Sequence, residues 1–395
     1  MGGHIYLGRI GGIPFLIHWS WFLAVLLIAW SVPSVFFPDL EGTVPGYLLG
    51  VAAALGLFAS VLLHELGHAL IALQVGIPVR SIRLFIFGGV AEIAGEPRRP
   101  GHEIVVAIGG PAVTLFLIVS AFLSYVLLGG TAWMLDESGR VVLRAADLES
   151  WRAISARLLL YLLLANAVLL VFNLIPAFPL DGGRVLRATI WGLTGNYLSS
   201  TRIAGYVGIA FGWLLILFGA GNVLIGGNLS GIWSIFLGLF LQNAAQQSIA
   251  TAQVEELLGG IRVGDIMRRQ PVAIPAHTLL ANILEDFFLR YPYKAYPVVE
   301  DGRLVGMFTL HHLKDVPRDE WDMLDAAAVV TGDGNLPVLH PNDLVLAALR
   351  KMNETGYARL PVVENGLLVG ILSKRDILGV LEVRSGLAEA GWRKT

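Results

Sequence analysis

The stretch His64-Glu65-Leu66-Gly67-His68 lies inside an apolar run, and Glu65 is the only charged residue between Leu55 and Val75. On an α-helix, positions 64 and 68 share one face, so both imidazoles can give a nitrogen to one Zn²⁺ while Glu65 takes a proton from water. The alternative is a chance match on a polar helix face. A carboxylate at membrane depth costs about 2.5–3.5 kcal/mol on insertion scales, and this cost favours a metal site.

The composition is that of a membrane protein with a soluble part. Of the residues, 55% are hydrophobic and 15% are charged, whereas soluble domains have about 25% charged residues. Many of the charges lie after about Val254, which predicts a soluble region there. The net charge of -2 gives no basic field for nucleic acid. Cysteine is absent, so a metal site must use His, Asp and Glu.

Six apolar runs are long enough to cross a membrane. They are Ile17–Phe37, Tyr47–Val75, Ile104–Leu128, Ile154–Asn173, Ile203–Ile225 and Ile232–Ala250. The first run is too long for the core of a signal peptide and is interpreted as a retained span. Because the number of spans is even, both termini are expected on the same side.

Arginines in the connecting loops predict the orientation. The loops on the side of the termini carry Arg80, Arg83, Arg98, Arg99, Arg184, Arg187 and Arg202. The opposite loops carry Arg140, Arg144 and Arg152. The positive-inside rule therefore places both termini, and everything after the sixth span, in the cytoplasm. It also places His68 near the cytoplasmic end of the second span.

Asp181 is the candidate third metal ligand, since a catalytic zinc takes three protein ligands and keeps one open position. It follows the fourth span, in a stretch where Pro176 and Pro179 prevent a continuous helix. Irregular backbone at membrane depth is tolerated only where it is buried in protein or lines a wet cavity. We therefore expect Asp181 at the level of the two histidines. The alternative is an interfacial turn in which Asp181 is merely solvated.

The two motifs together resemble those of the site-2 protease family of intramembrane zinc metalloproteases, over about residues 1–250. The matching residues are His64-Glu65-x-x-His68 and Asn173-x-x-Pro176-x-x-Pro179-x-Asp181-Gly182. The resemblance implies that His64, His68 and Asp181 bind zinc and that Glu65 is the general base. It implies that Asn173 contacts the substrate peptide or the developing oxyanion. The usual clients of the family are membrane-bound transcription-factor precursors or anti-sigma factors.

The family also carries a membrane-dipping β-segment between its second and third spans, and Ser81–Ile93 fits that place. The alternation of this segment, and its pair Gly88 and Gly89, suit a strand that offers an edge to an unfolded substrate. A substrate helix has every amide bonded internally, so it must unwind before attack. An ordinary cytoplasmic hairpin is the alternative interpretation.

A repeat occupies the last third of the chain, where Pro297–Gly306 matches Pro361–Gly370 at an offset of 64. Each copy is typical of a strand, a tight turn and a strand. Amphipathic helices are predicted around the copies, at Leu279–Phe288, Leu310–Lys314, Leu344–Asn353 and Lys374–Leu381. The region Ile261–Val383 resembles a tandem of CBS domains. The predicted boundaries are 1–250 for the membrane domain, 251–260 for a linker, 261–318 and 319–384 for the CBS domains, and 385–395 for a tail.

CBS pairs commonly bind adenine nucleotides such as AMP, ADP or ATP, through Ser or Thr after the second strand and Asp three residues later. The second repeat keeps this pattern as Ser373 and Asp376. The first has Thr309 but His312 in place of the aspartate, which counts against a second nucleotide site. A pair that only dimerises is the alternative. A homodimer through the CBS domains is also implied by the resemblance.

The sequence thus predicts a polytopic α-helical membrane protein of about six transmembrane helices with a membrane-associated β-segment, followed by an α/β cytoplasmic CBS pair. Its expected function is zinc-dependent cleavage of membrane-embedded proteins. A CBS-regulated transporter or channel is one rival, although no inverted repeat of interrupted spans is evident. An inactive scaffold is the other, although a scaffold has no reason to keep a costly Glu65.

Overall fold

In a computed structural model of the chain, the described residues are 4–86, 88–93, 97, 99–128, 133–135, 141–143, 151–330 and 336–390. The chain divides into two compact units, Met1–Ala250 and Thr251–Thr395. The helices that begin in the first unit are α1 (Ser20–Phe36), α2 (Val44–Gln74), α3 (Pro100–Leu127), α4 (Trp151–Leu174), α5 (Asp181–Thr194), α6 (Tyr197–Leu224) and α7 (Gly231–Leu258). Its strands are β1 (His4–Ile10), β2 (Ile13–His18), β3 (Val79–Phe85), β4 (Gly88–Ile93), β5 (Trp133–Leu135) and β6 (Val141–Leu143).

Four helices of the described chain, α2, α3, α4 and α6, are long and apolar enough to cross a membrane. Helix α1 is apolar but has only 17 residues. Helix α7 is long, but its second half is rich in glutamine and charged residues. The other two of the six predicted membrane helices therefore stay a prediction.

The first apolar run begins as a strand, which the sequence interpretation missed. Ile13, Phe15 and Ile17 alternate with less buried residues along β2, as expected for a strand with one face on the core. The helix starts only at Ser20, whose backbone N–H donates to His18 Nδ1. The predicted span Ile17–Phe37 is thus shortened at its beginning.

The first unit contains a four-stranded sheet in the order β1-β2-β3-β4. Strands β2 and β3 pair in parallel, and the other two pairs are antiparallel. The described residues of the segment Ser81–Ile93 therefore belong mainly to β3 and β4, which pair antiparallel, and its two glycines begin β4. Ile13, Phe15 and Ile82 pack against Ala69 of α2, which holds the sheet beside that helix. Whether this sheet is associated with the membrane stays a prediction.

Helix α5 was not predicted, because Pro176, Pro179 and a glycine pair lower the local helix propensity. Helix α4 ends at Leu174, and α5 starts at Asp181 itself. Both ends of α5 have features typical of helix ends. Asp181 places an acidic side chain in the first turn, and Gly195 follows the last turn in the left-handed conformation (φ 68°). Arg184 and Arg187, which were counted as loop cations, therefore lie in a helix.

Glycines allow two pairs of helices to approach closely. A Cβ built at Gly67 of α2 would lie 2.6 Å from Gly109 O of α3, and a Cβ at Gly109 would lie 2.8 Å from Gly67 O. Likewise, a Cβ at Gly212 of α6 would lie 2.8 Å from Gly238 O of α7. Such small-residue contacts are characteristic of membrane helix packing.

The second unit has two similar halves. Its helices are α8 (Val263–Ile266), α9 (Leu280–Ile283), α10 (Leu310–Asp315), α11 (Ala326–Val330), α12 (Val345–Thr355) and α13 (Lys374–Glu389). Its strands are β7 (Arg268–Arg269), β8 (Ile274–Pro275), β9 (Ala295–Glu300), β10 (Arg303–Thr309), β11 (Arg359–Glu364) and β12 (Leu367–Ser373). One sheet has the order β11-β12-β10-β9-β8, with β7 paired to β12.

The predicted hairpins are present in both halves. Asp301-Gly302 and Asn365-Gly366 form the turns, and all four residues have positive φ, as a type I′ turn requires. Each half has its own apolar core, centred on Phe308 in the first and Leu360 in the second. The predicted helix Leu279–Phe288 is interrupted, since α9 ends at Ile283 and a π-helical turn follows over Leu284–Leu289.

We expect Gly212→Ala to destabilise the first unit, because the added methyl group meets the backbone of α7. Overpacking of this kind costs about 1–3 kcal/mol. The matched control is Gly221→Ala on the same helix, where a Cβ meets nothing within 4 Å. Thermal unfolding in detergent should show a lower midpoint for Gly212→Ala only. Equal midpoints for the two variants would contradict the close α6–α7 contact.

Candidate metal centre

Three predicted ligands from α2 and α5 converge on one point. His64 Nε2 and His68 Nε2 are 3.1 Å apart, and each lies 3.2 Å from an oxygen of Asp181. His64 and His68 are each 3% exposed and Asp181 is 8% exposed. Among the described residues, these three form the only group of His, Cys, Asp and Glu side chains arranged to hold a metal ion.

The geometry fits zinc. Zn–N and Zn–O bonds of about 2.0–2.1 Å place neighbouring ligands of a tetrahedral site about 3.3 Å apart. The three observed separations, 3.1, 3.2 and 3.2 Å, are close to that value. Asp181 Oδ2 is buried and accepts no hydrogen bond from the described residues, and a cation between the three groups would satisfy it. Two imidazoles and one carboxylate are also a donor set that zinc accepts.

The other ring nitrogen of each histidine is bound to α3. His68 Nδ1 lies 2.7 Å from Val106 O, which can only accept, so this nitrogen carries the proton. His64 Nδ1 lies 2.8 Å from Thr114 Oγ1, and the Thr114 hydroxyl donates to Gly110 O. The hydroxyl oxygen therefore accepts from His64 Nδ1–H. Both rings thus present unprotonated Nε2 atoms to the same point, the tautomer that a metal ligand needs.

Gly110 makes this approach of α3 possible. A Cβ at this position would collide with the Nε2 atoms of both His64 and His68. The neighbouring Gly109 packs on Gly67, whereas Gly110 leaves room for the two rings.

Glu65 lies against strand β4. Its Oε2 accepts a hydrogen bond of 2.9 Å from Ala91 N–H. A Cβ at Gly89 would lie 2.6 Å from Glu65 Cγ, so only glycine leaves the carboxyl group where it is. Gly88 is adjacent, in a conformation with φ 133°, and a Cβ there would lie 4.0 Å from Val61. The structure therefore brings the two predicted substrate-binding glycines to the helix that carries Glu65.

Asn173, also predicted to act in the site, lies in the last turn of α4 and is half-buried. Its side chain forms no hydrogen bond with the described part of the chain. Its role stays a prediction.

Several residues around the centre were missed by sequence reasoning. Thr114 and the Val106 carbonyl orient the rings, and the Ala91 N–H holds Glu65. A backbone carbonyl or amide carries no sequence signal. The sequence signal that could have indicated them is the rarity of polar residues in the apolar helix α3. Two of these polar residues, Glu103 and Thr114, are fully buried in the structure.

In the second unit, Ser373 and Asp376 are in contact at the start of α13. Ser373 N–H donates to Asp376 Oδ2 at 3.0 Å, and the hydroxyl of Ser373 donates to the same oxygen. Asp376 Oδ1 accepts from Arg268 Nε at 2.9 Å, and this hydrogen bond raises the pKa of Arg268. Asp376 also lines an open cleft of about 710 Å³ whose charged residues are Asp265, Arg268, Arg375, Asp376 and Arg384.

The first repeat differs in chemistry but not in backbone. Thr309 N–H donates to His312 Nδ1 at 3.1 Å, the same N-terminal hydrogen bond that Asp376 accepts in the second repeat. His312 therefore caps its helix without supplying a negative charge.

Comparison with known proteins gives the same two parts. The profile of Peptidase family M50 matches residues 52–215, and that of the CBS domain matches residues 263–319 and 328–383. Zinc metalloprotease MJ0392 of Methanocaldococcus jannaschii is 34% identical over 98% of this chain and 100% of its own length. The Synechocystis sp. protein sll0528, named as a presumed zinc metalloprotease, is 33% identical over 97% of this chain and 96% of its own.

Among solved structures, the site-2 protease from Methanocaldococcus jannaschii is 29% identical, with a TM-score of 0.41, and covers 62% of this chain and 95% of its own. The full-length relatives confirm the family resemblance found in the two membrane motifs and in the C-terminal repeat. Together with the four membrane-length helices, they indicate a multi-pass membrane protein. The chain therefore belongs to Peptidase family M50, the site-2 protease family, and carries two CBS domains.

Proposed function

We propose that this protein is an intramembrane zinc metalloendopeptidase that hydrolyses peptide bonds in or next to transmembrane segments of membrane-bound proteins. The observation that carries the proposal is the convergence of His64 Nε2, His68 Nε2 and the Asp181 carboxylate, with both rings oriented from behind by α3. A scaffold or a transporter has no need for this ligand set with a carboxylate base beside it.

In this proposal, His64, His68 and Asp181 would hold one zinc ion. When bound, zinc lowers the pKa of a coordinated water to about 7 and polarises the scissile carbonyl. Glu65 follows His64 directly in α2, and its carboxylate is proposed to accept the water proton. The same carboxyl group then delivers that proton to the leaving amine.

The outer edge of β4 is our candidate for the substrate-docking surface. Within the described residues, β4 is the last strand of its sheet, and Ala91 N–H points to Glu65 rather than to β3. An unwound substrate segment that adds to this edge as a strand competes for Ala91 N–H. Docking would then release Glu65 Oε2 at the moment the peptide arrives, which joins substrate binding to the freeing of the base.

We further propose that the protein lies in the plasma membrane, with both termini and the CBS domains in the cytoplasm. The loop arginines support this orientation. Arg187 no longer contributes to that argument, since it is buried and paired with Glu103. Asn173 is proposed to contact the substrate backbone. The substrates are then proteins tethered in the same membrane, and a homodimer through the CBS domains remains part of the proposal.

The CBS pair is proposed to bind one adenine nucleotide per chain and to modulate cleavage. Asp376 provides a carboxylate for the ribose hydroxyls, Ser373 a hydroxyl for phosphate, and the arginines of the adjacent cleft a positive field. In the first repeat, Thr309 keeps the hydroxyl, but His312 lacks the carboxylate. One site rather than two is therefore expected.

Glu65→Gln should abolish cleavage while zinc binding persists, because it removes the base and keeps the ligands. General bases contribute about 10²–10⁴-fold to rates. The measurement pairs zinc content with cleavage of a tagged single-span substrate in liposomes, with and without a chelator. Asp181→Ala should lose both zinc and cleavage. A wild-type protein without zinc, or cleavage that survives Glu65→Gln, would refute the proposed mechanism.

Gly89→Ala should slow cleavage at unchanged zinc content, because the added methyl group displaces the Glu65 carboxyl group. Misplacing a catalytic group by about 1 Å costs about 100-fold in rate. Gly101→Ala is the control, since a Cβ there meets nothing within 4 Å. The two variants are compared in kcat on the same liposome substrate. Wild-type kcat in Gly89→Ala would show that β4 does not set the position of the base.

Asp376→Asn should weaken AMP or ATP binding by about 10–100-fold, because hydrogen bonds to a charged group contribute about 1.5–3 kcal/mol. The asparagine still accepts from Ser373 N–H, so the cap of α13 is kept. Asp343→Asn is the matched control, since Asp343 accepts from His340 N–H in the same way but does not line the cleft. Calorimetry on the full-length protein in detergent measures the nucleotide affinity of both variants. Equal nucleotide affinities of Asp376→Asn and Asp343→Asn would exclude Asp376 from the nucleotide site.

A further inference from the structure

A buried ion pair joins α3 to α5. Glu103 Oε1 accepts from Arg187 Nε at 2.7 Å and from a second guanidinium nitrogen of the same residue. Glu103 is fully buried, and Arg187 is 8% exposed. Burying two charges in an apolar helix bundle is costly, so we expect the Glu103–Arg187 pair to have a specific role at this position.

Helix α3 presents one continuous face to the candidate metal centre. Glu103, Val106, Gly110 and Thr114 follow at spacings of three, four and four residues, so they lie on the same side of the helix. Val106 and Thr114 bind the two histidine rings, and Gly110 leaves space for them. Within the described part of the chain, Glu103 alone of these four residues forms a side-chain hydrogen bond with α5.

Helix α5 is the element that supplies Asp181. Asp181 and Arg187 are six residues apart, about 240° around the helix axis at 3.6 residues per turn. Asp181 faces the histidines of α2, and Arg187 faces Glu103 of α3. With two contacts on different sides, α5 cannot rotate about its axis without breaking one of them.

Arg187 also holds the chain on both sides of α5. Its guanidinium carbon lies 4.7 Å from the centre of the Phe178 ring and 5.1 Å from that of Tyr197. Phe178 belongs to the irregular segment that leads into Asp181, and Tyr197 begins α6. One cation therefore fixes the entry to α5, the helix itself and the element that follows it.

We propose that Glu103 and Arg187 are a positioning pair that sets the orientation of Asp181 toward the two histidines. Through this pair, the same face of α3 orients all three ligands, two by direct hydrogen bonds and the third through α5. The proposal rests on the zinc site of the proposed function. Among the described contacts, neither residue hydrogen-bonds to His64, His68 or Asp181, so the pair acts on the centre through α5.

The test measures zinc affinity by competition with a chromophoric chelator, on full-length protein in detergent. Arg187→Lys keeps the charge but loses the planar fork and the stacking on two rings. Glu103→Gln keeps the shape and loses the charge. Both should bind zinc about 10–100-fold more weakly, as expected when groups that orient ligands are altered. The visible spectrum of the cobalt-substituted variants should also change, because the third ligand is misplaced.

The control is Asp39→Asn, which weakens another ion pair of the same unit. Arg157 of α4 donates to Asp39 at 2.7 Å, and neither residue bonds a ligand of the centre. This variant should lower the thermal midpoint and leave zinc affinity and the cobalt spectrum unchanged.

A purely structural role for Glu103 and Arg187 would give the same outcome as the control: a lower midpoint of the metal-free protein, with wild-type affinity and spectrum in the folded fraction. That result in both variants would overturn the proposal. A wild-type protein that binds no zinc would overturn the proposed function instead, and this assignment with it. The two failures are therefore distinguishable.

Discussion

The hydrogen bonds from His68 Nδ1 to Val106 O and from His64 Nδ1 to Thr114 Oγ1 are the contacts on which the centre depends. An unpaired ring N–H in an apolar bundle costs several kcal/mol, so these bonds satisfy the rings and aim their Nε2 atoms in one step. They form because α2 and α3 meet at Gly67 and Gly109, where the backbones are in contact, and because Gly110 leaves room for the rings. The motif His64–His68 on α2 is therefore oriented for metal binding only when α3 packs against it with a glycine, Gly110, opposite the two rings.

How much of the centre could be predicted follows from how local each contact is. His64 and His68 are four residues apart on a helix, so their convergence is a property of helix geometry. The position of Asp181 depends on where the chain returns, and it became visible only as a break in an apolar pattern. The residues that orient the rings come from α3, through a carbonyl oxygen and a hydroxyl. Pairings between distant helices leave no periodic trace, and neither does the Glu103–Arg187 bond.

The sheet of the first unit shows a similar limit. The hairpin β3–β4 is local, and its alternation indicated strand structure in Ser81–Ile93. Its pairing with β2 is parallel and joins Phe15–Ile17 to Ile82–Leu84, residues on either side of two helices. The N-terminal strands were hidden because Ile17 also reads as the start of an apolar span. The hydrophobic character of this region was recognised from the sequence, but the alternation of its buried residues was not. Residues 13, 15 and 17 repeat with a period of two, as in a strand.

The two CBS repeats separate a structural task from a chemical one. At the start of α13, Asp376 accepts the Ser373 N–H, and at the start of α10, His312 accepts the Thr309 N–H at nearly the same distance. Capping a helix needs only an acceptor, which a neutral imidazole nitrogen supplies as well as a carboxylate. Holding a pair of ribose hydroxyls favours a charged acceptor with two oxygens, which His312 lacks. The fold is therefore kept in both repeats while the chemistry proposed for nucleotide binding is kept in one. A match to the backbone of a domain family thus says less about ligand binding than the identity of a single capping residue.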